Sequence, residues 1–196
     1  GGNVYAMFAP SIEGQFGEDV SVGMLKSALL ELGFDGVFEV ALGADAVAKH
    51  EADEVLEAIE DGRLTTTSCC PAFVSMIEKH FPKLIPNISS TLSPMVVMGQ
   101  YIKNIDPKGK VVFIGPCMAK KGEMLKVEAR DFVDYVLTFE EIVAMLEARG
   151  ITFHEEYGER EGSSFGLGFA QSGGVAKAVQ KSLGERGLEN KIIPRS

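Results

Sequence analysis

The sequence predicts an α/β fold in which a parallel β-sheet is flanked by helices. Short apolar stretches alternate along the chain with amphipathic stretches of helical length, a pattern typical of repeated strand–helix units. The stretch GKVVFIGP is almost continuously apolar, as expected for a central strand that is buried on both faces. Ligands in such folds bind beyond the carboxyl ends of the strands, so reactive side chains at those ends are candidate site residues.

Each element is predicted from its local pattern. Strands are expected, in order, in NVYAMFAP, GVFEVAL, LTTTS, GKVVFIGP and DYVLT. Helices are expected in DVSVGMLKSALLELGF, DAVAKHEADEVLEAIEDG, PAFVSMIEKHF, LSPMVVMGQYIKNI, FEEIVAMLEARG and VAKAVQKSLGERG. Gly33, Gly62 and Gly150 follow predicted helices as stop signals, and Pro71 suits the first turn of its helix. The polar stretch 104–110 is the best candidate for a division into two lobes.

Composition excludes several classes of function. The chain has 196 residues, a net charge of −9 and 45% hydrophobic residues, which suits a globular core and argues against a nucleic-acid surface. It lacks an apolar run of the roughly 18 residues that a membrane span requires and an opening signal segment. Three cysteines cannot complete a disulfide framework, so a reducing, cytoplasmic location is expected.

Two cysteines stand side by side in TTTSCCPAFVSMIEKH. Cys69 and Cys70 lie at a predicted strand-to-helix turn, where a helix N-terminus favours thiolate. The ordinary alternative is that they are small buried hydrophobic residues, as free cysteines usually are. A third thiol at an equivalent turn weakens that alternative.

The third thiol is Cys117, in IGPCMAKKGEM. It again follows a strand, and Lys120 and Lys121 come within a turn of it, which stabilises a thiolate or an anionic ligand. A solvated basic turn is the alternative. Cys70 and Cys117 could share a metal centre, but zinc requires four ligands, usually in close pairs, and iron–sulfur clusters also usually take four. Two or three thiols are too few for either.

Other polar residues give weak signals by themselves. Glu51 and Ser89 have the context of ordinary surface and loop residues, and His50, His80 and His154 are expected to be structural or exposed. The stretch GLGFAQSGGV fails the dinucleotide-binding glycine pattern at Gln171 and is interpreted as close backbone packing.

The cysteine segments resemble two signature motifs of the iron-only, or [FeFe], hydrogenases. TSCCPAF resembles T-S-C-C-P-[GA]-W, and GPCMAKKGE resembles M-P-C-x-x-K-x-x-E. FAPSI, LLELGFDGVFEVALGADA, NISSTLSPM, DYVLTFEEIVAML and SGGVAKAV are similar to further family stretches in the same order. The resemblance covers essentially the whole chain. It implies part of a two-lobed catalytic domain with a parallel sheet in each lobe.

The family's cofactor is the H-cluster, a [4Fe–4S] cluster joined to a two-iron subcluster that carries CO, cyanide and a bridging dithiolate amine. It interconverts H₂ with protons and electrons. By resemblance, Cys70 and Cys117 match two of the four cluster ligands, and Cys69 matches the thiol that exchanges protons with the bridging amine. Two adjacent thiols with different roles are chemically reasonable, because a ligand thiolate cannot also donate a proton.

The remaining site residues are also carried over by resemblance. Glu123, Ser89 and Glu51 match stations of a proton path, and the Glu51 alignment requires a small gap. Lys120 matches a lysine that pairs with a cyanide, since an ammonium offers charge and hydrogen bonds in a dry pocket. The residues that match the surroundings of the cyanide and carbonyl groups are Pro10, Ser11, Ser93 and Pro94.

The chain also departs from the family pattern. Gly115 stands where the motif has methionine, Met95 where it has glutamine, and Phe73 where it has tryptophan. The first two changes alter the wall around the two-iron subcluster and suggest a divergent subgroup tuned for sensing. The third motif, C-x-x-x-C, and the ferredoxin-like modules do not occur in these residues. We therefore expect residues 1–196 to be part of a catalytic domain that, alone, is cofactor-free and inactive.

The sequence supports two classes of function. The first is a hydrogenase domain whose full-length protein acts on H₂ and protons and exchanges electrons with a ferredoxin-like carrier or module. The alternative is a hydrogenase-like H₂ sensor or an iron–sulfur scaffold or assembly protein. A partial domain would expose an apolar face, through which the chain could pair with a second copy.

Overall fold

A computed structural model describes residues 2–154 and 161–187 of the chain, apart from the side chain of Phe165. Four strands within these residues form one parallel sheet: β1 (Val4–Phe8), β2 (Gly36–Glu39), β3 (Lys110–Gly115) and β4 (Tyr135–Thr138). The strand order is β2-β1-β3-β4, with Met7 opposite Phe38 on one side and Phe113 on the other. The predicted α/β class with a parallel sheet is confirmed.

Eight helices surround the sheet in the described residues. Their bounds are α1 (Val22–Leu32), α2 (Ala41–Glu60), α3 (Pro71–His80), α4 (Pro94–Ile105), α5 (Ala119–Met124), α6 (Phe139–Arg149), α7 (Ser164–Leu167) and α8 (Gly174–Gly184). Short 3₁₀ turns occupy Pro10–Ile12, Pro82–Asn87 and Gly168–Ala170. Helix α5 was not predicted from the sequence. None of the helices in the described part of the chain is long and apolar enough to cross a membrane.

Helices α1 and α6 end at the predicted stop glycines, and both also carry N-terminal caps that were not predicted. The Ser21 side chain accepts a hydrogen bond from the Met24 amide at the start of α1, and Gly33 ends the helix at a φ of 115°. At α6, Thr138 and Glu141 form a reciprocal capping box, and Gly150 ends the helix at a φ of 67°. Both glycines adopt the left-handed conformation that a side chain would strain.

The main core lies between the sheet and its covering helices. Strands β1 and β3 supply its centre, including Met7, Phe8, Phe113 and Ile114, all nearly inaccessible to solvent. Helices α1, α4 and α6 close it with apolar side chains such as Leu29, and a smaller cluster lies between α2 and α8. Burial on both faces explains the continuous apolar character of β3.

The predicted lobe division at residues 104–110 does not separate the strands. The stretch joins α4 to β3, and β3 pairs directly with β1 from the other side of the stretch. The Asp106 side chain accepts a hydrogen bond from the Asn3 side chain and caps the Lys108 and Gly109 amides. These bonds make the stretch a turn within one sheet.

The predicted LTTTS strand is not part of the sheet. Thr66 makes one isolated parallel bridge with Ile88, through hydrogen bonds to the Asn87 carbonyl and from the Ser89 amide. The segment is therefore an extended connection between α2 and α3 and not a strand of the sheet.

Residues 161–167, which follow the last strand of the sheet in sequence, contact helix α2 and neighbouring residues. Asp45 of α2 accepts hydrogen bonds from the Ser163 amide, the Ser163 hydroxyl and the Gly166 amide. Buried Lys26 and Glu39 form an ion pair at 3.0 Å, and the Glu161 amide donates a hydrogen bond to Glu39. These contacts fix residues 161–167 beside the carboxyl end of β2.

Candidate functional site

The three thiols meet in a cavity at the carboxyl edge of the sheet. This thiol cavity has a volume of about 250 Å³. Its lining comes from Phe113 of β3, from residues that follow β1, β2 and β3, from the loop before α3, from the start of α4 and from residues 169–175. Its lining comprises Ala9, Pro10, Ser11, Val40, Cys69, Cys70, Pro71, Pro94, Met95, Phe113, Pro116, Cys117, Lys120, Phe169, Ala170 and Val175.

Each cysteine reaches the cavity from a different backbone setting. Cys70 is the N-cap residue of α3, with Pro71 in the first turn as predicted, and Cys117 lies between β3 and α5. Cys70 is exposed, whereas Cys69 and Cys117 are half-buried, and all three are free thiols. Burial raises the pKa of the Cys69 thiol, although a hydrogen-bond contact with the Thr67 hydroxyl at 3.7 Å opposes the shift. Cys69 therefore favours the protonated form.

Among the described residues that line the thiol cavity, Lys120 is the one with a cationic side chain. Its ammonium donates hydrogen bonds to the Glu123 carboxylate at 2.6 Å and to the Cys69 carbonyl at 3.3 Å. The Lys120 and Glu123 side chains are 13% and 12% exposed, so water screens this ion pair only partly. The structure thus joins two predicted site residues directly.

The predicted cyanide and carbonyl surroundings separate into two groups. Pro10, Ser11 and Pro94 line the thiol cavity, but Ser93 lines an adjoining serine cavity of about 200 Å³ with Ser89 and Glu123. The Ser93 side chain is buried at the start of α4, and its hydroxyl has no hydrogen-bond partner in the described part of the chain. A buried hydroxyl in that state is costly unless a bound group satisfies it.

Glu51 lies inside the molecule on α2. It is 2% exposed, and neither carboxylate oxygen has a hydrogen bond of ordinary geometry within the described residues. Burial raises its pKa from 4.5 to about 7, the Ser68 backbone lowers it, and the neighbouring Glu54 charge raises it further. Glu51 lines a third cavity of about 490 Å³, here called the carboxylate groove, which also contains Ser89 and Cys70.

Glu54 is a site residue that sequence reasoning missed. It lies one helical turn after Glu51 in the carboxylate groove, and the Ser90 hydroxyl and amide donate hydrogen bonds to it at 2.5 and 3.1 Å. Burial raises the Glu54 pKa, but hydrogen bonds from Ser89 and Ser90 outweigh that effect and bring it below its ordinary value. The spacing of three residues from Glu51 on a predicted helix was the available signal.

The glycine-rich stretch supplies a wall of the cavity, through Phe169, Ala170 and Val175. A Cβ atom on Gly166 would lie 2.3 Å from the Ala41 carbonyl oxygen, and one on Gly174 would lie 1.9 Å from the Gly168 carbonyl oxygen. The interpretation as close backbone packing is therefore confirmed at Gly166 and Gly174, whereas a Cβ atom on Gly168 or Gly173 would make no such contact. His50, His80 and His154 are exposed.

The donor set fits one side of an iron–sulfur group. Cys70 and Cys117 place two soft sulfur ligands in one mainly apolar cavity, and Lys120 offers a cation beside them. The described residues contain no cluster of three or more cysteine, histidine, aspartate or glutamate side chains that could hold a metal ion. A four-thiolate cluster would thus take two ligands from Cys70 and Cys117 and two from outside this set.

Comparison with protein families gives one match over nearly the whole chain. The model described as "Iron only hydrogenase large subunit, C-terminal domain" matches residues 2–194.

Curated relatives are hydrogenases and an assembly factor. Iron hydrogenase 1 of Clostridium pasteurianum is 33% identical, covering 92% of this chain and 36% of the relative. The periplasmic [Fe] hydrogenase large subunit of Nitratidesulfovibrio vulgaris is 32% identical, covering 89% and 48%. The cytosolic Fe-S cluster assembly factor NAR1 of Kluyveromyces lactis is 38% identical over 96 residues, covering 49% and 20%. The chain thus spans less than half the length of these relatives.

Solved structures share the fold. A variant of [FeFe]-hydrogenase HydA1 from Chlamydomonas reinhardtii superposes with a TM-score of 0.76 at 28% identity, covering 92% of this chain and 53% of that one. The [FeFe]-hydrogenase HydA(deltaEFG) gives a TM-score of 0.74 at 29% identity, covering 92% of this chain and 52% of that one.

Proposed function

Because the chain belongs to the family of the iron-only hydrogenase large subunit, C-terminal domain, we propose that it forms part of the active-site domain of an [FeFe] hydrogenase. The full-length protein would interconvert H₂ with protons and electrons and exchange electrons with a ferredoxin-like carrier in the reducing cytoplasm. The observation that best supports this proposal is the convergence of Cys69, Cys70, Cys117 and Lys120 on one cavity, although Cys69 and Lys120 are 51 residues apart in sequence.

The cofactor would be the H-cluster, which supplies the iron chemistry of H₂ cleavage when bound. Cys70 and Cys117 would bind its [4Fe–4S] part as thiolates. Lys120, together with Pro10, Ser11 and Pro94, would contact its two-iron subcluster. The unpartnered Ser93 hydroxyl is a further group that a bound cofactor could satisfy. Glu123 would hold the Lys120 ammonium in place through their 2.6 Å ion pair.

A proton route leads outward from Cys69 through groups on α2. The charge of Glu51 raises the pKa of the Cys69 thiol, and the charge of Glu54 raises the pKa of Glu51. Glu54 in turn accepts hydrogen bonds from Ser89 and from the exposed Ser90. Glu51 has a pKa of about 7, so at neutral pH its carboxyl group can accept and release a proton with little driving force. We propose Cys69, Glu51, Glu54 and Ser89 as successive stations, and Glu123 as a second branch through the serine cavity it shares with Ser89.

Anaerobic reconstitution with ferrous iron, sulfide and a small thiol tests the ligand assignment, because the small thiol can fill the ligand positions that this chain does not supply. The expected product has the visible absorption and, after reduction, the EPR signal of a [4Fe–4S] cluster. Cys70→Ser and Cys117→Ser should lose most of the bound iron, whereas Cys69→Ser should keep it. Equal iron binding by all four proteins would contradict the proposal, as would loss in Cys69→Ser alone.

Hydrogen turnover is measured on the same samples after a two-iron subcluster has been added. We expect none from residues 1–196, because two thiolates cannot hold the cluster in the geometry that a four-ligand site provides. Turnover by this chain would show that the expectation of an inactive, incomplete domain is wrong.

An iron–sulfur scaffold or assembly role is the second candidate, favoured by the similarity to NAR1. A scaffold needs Cys70 and Cys117 but not the proton route or a two-iron subcluster. Infrared spectra after addition of a two-iron subcluster separate the two functions. New cyanide and carbonyl bands that depend on Lys120 would support the hydrogenase proposal, and their absence from a cluster-loaded protein would favour the scaffold.

A further inference from the structure

Position 115 carries a departure from the family motif that the structure explains. The residue before Pro116 and Cys117 is glycine, and a missing side chain beside a ligand cysteine would ordinarily leave a gap in the cavity wall. Gly115 is nevertheless buried, so its surroundings already fill that volume.

The volume is filled by Phe113. A Cβ atom on Gly115 would lie 2.6 Å from Cε1 and 2.8 Å from Cζ of the Phe113 ring, and the next atom is the Ala9 Cβ at 3.5 Å. Residues 113 and 115 point to the same face of strand β3, because side chains alternate along a strand. The Phe113 ring therefore lies over the position that a side chain at 115 would occupy.

The ring has little freedom to move away. Phe113 is 2% exposed and belongs to the main core, where close packing resists displacement of a large side chain. The same ring also lines the thiol cavity together with Pro116 and Cys117.

We propose that Phe113 and Gly115 are a coupled pair, in which the Phe113 ring replaces the side chain of position 115 as the β3 wall of the thiol cavity and limits the size of the ligand beside Cys117. The wall is apolar and carries no hydrogen-bond donor, so it suits a neutral ligand of a bound metal group. This consequence for a cofactor rests on the proposed function, whereas the coupling does not.

A double-mutant cycle on thermal unfolding tests the coupling. Gly115→Met should lower Tm by roughly 3–10 °C, because a second large side chain overpacks the site. Phe113→Val should also lower Tm, because it leaves a void. The double variant Phe113→Val/Gly115→Met should unfold at a higher temperature than Gly115→Met alone. The proposal would be overturned if the decrease in Tm of the double variant equalled the sum of the decreases of the two single variants. If Gly115→Met does not fold, Gly115→Ala repeats the cycle, since its Cβ alone meets the ring.

Gly122 gives the matched control. A Cβ atom there would have no heavy atom within 4 Å other than those of its own helix, so Gly122→Met and Phe113→Val should show additive effects on Tm.

Xenon binding followed by NMR measures the cavity itself, because xenon occupies apolar cavities. Phe113→Val should bind xenon several-fold more tightly than the wild type, and the double variant should return toward the wild-type value as the methionine fills the space. Unchanged xenon binding in Phe113→Val would show that the ring is not the wall. Neither measurement involves a cofactor, so failure of the reconstitution experiment and failure of the coupled pair give separate results.

Discussion

At the scale of single residues, the site is distinguished by buried polar side chains that have few hydrogen-bond partners. Glu51 has no well-formed hydrogen bond among the described residues, Ser93 likewise has an unpartnered hydroxyl, and Lys120 is held by one carboxylate and one carbonyl. A core selected only for stability would satisfy or remove such groups, since each costs free energy when buried. Their position around the thiol cavity and the neighbouring groove is therefore consistent with a functional requirement.

Glu51 gives a prediction about pH. Its folded-state pKa of about 7 lies above its ordinary value of 4.5, so the folded protein keeps the proton between these pH values while the unfolded chain releases it. The free energy of unfolding should therefore fall as pH rises from about 4.5 to 7, by about 3 kcal/mol, and then remain level as far as this group is concerned. Glu51→Gln should remove that fall, which urea unfolding at a series of pH values measures.

The exposed Glu57 on the same helix provides the control. Glu57→Gln should leave the pH profile of the wild type unchanged. Parallel profiles for the wild type and Glu51→Gln across this pH window would show that the Glu51 carboxyl is not desolvated in the folded protein.

At the scale of secondary-structure elements, the close approach of α2 to α4 sets one side of the cavity. Helix α4 begins at Pro94, which lines the thiol cavity, and α2 passes it at Gly43. A Cβ atom on Gly43 would lie 2.6 Å from the Pro94 carbonyl oxygen and 3.4 Å from the Met98 Cβ. The position of α4 therefore depends on the absence of a side chain at residue 43.

Gly43→Ala tests this packing. In a helix, glycine-to-alanine substitution ordinarily stabilises by about 0.5–1 kcal/mol. Here the clash with the α4 backbone should reverse the sign and lower the free energy of unfolding by roughly 1–3 kcal/mol. Gly122→Ala in α5, which meets no heavy atom within 4 Å, should show the ordinary stabilisation. Chemical unfolding of both variants measures the difference, and a stable Gly43→Ala protein would refute the close contact.

At the scale of the whole molecule, residues 169–175 complete the lining of the thiol cavity, whose other lining residues lie between positions 9 and 120. Residues 163–166 are held by Asp45, and this attachment places Phe169, Ala170 and Val175 against residues that follow β1 and β2. One helix thus carries both the anchor Asp45 and the buried carboxyl of Glu51.

Asp45→Ala should loosen this wall without unfolding the sheet. The variant loses the acceptor for two amides and one hydroxyl, so amide hydrogen exchange in residues 163–175 should become about tenfold faster, as expected for a lost capping carboxylate. Exchange in β3 should stay unchanged, and the exposed Glu57→Ala should have no effect on either region. Mass spectrometry after exchange gives both rates, and an equal increase in β3 would indicate global destabilisation instead of local release.

The sequence by itself determined the α/β class, the order of the main elements and the cysteine segments, because helix periodicity, capping residues and a buried apolar strand are encoded by neighbouring residues. The close packing of the glycine-rich stretch was also accessible from sequence. The family resemblance selected the candidate site residues segment by segment along the chain, and the functional roles of these residues stay predictions.

Only the tertiary structure decided how those residues meet. It paired Lys120 with Glu123, joined Glu54 to the groove of Glu51, and moved Ser93 into the serine cavity. It also made residues 104–110 a turn within one sheet, and it filled the space at Gly115 with the Phe113 ring. The physical reason is that burial, desolvation and steric exclusion depend on distant segments brought together by folding, which local sequence patterns do not encode.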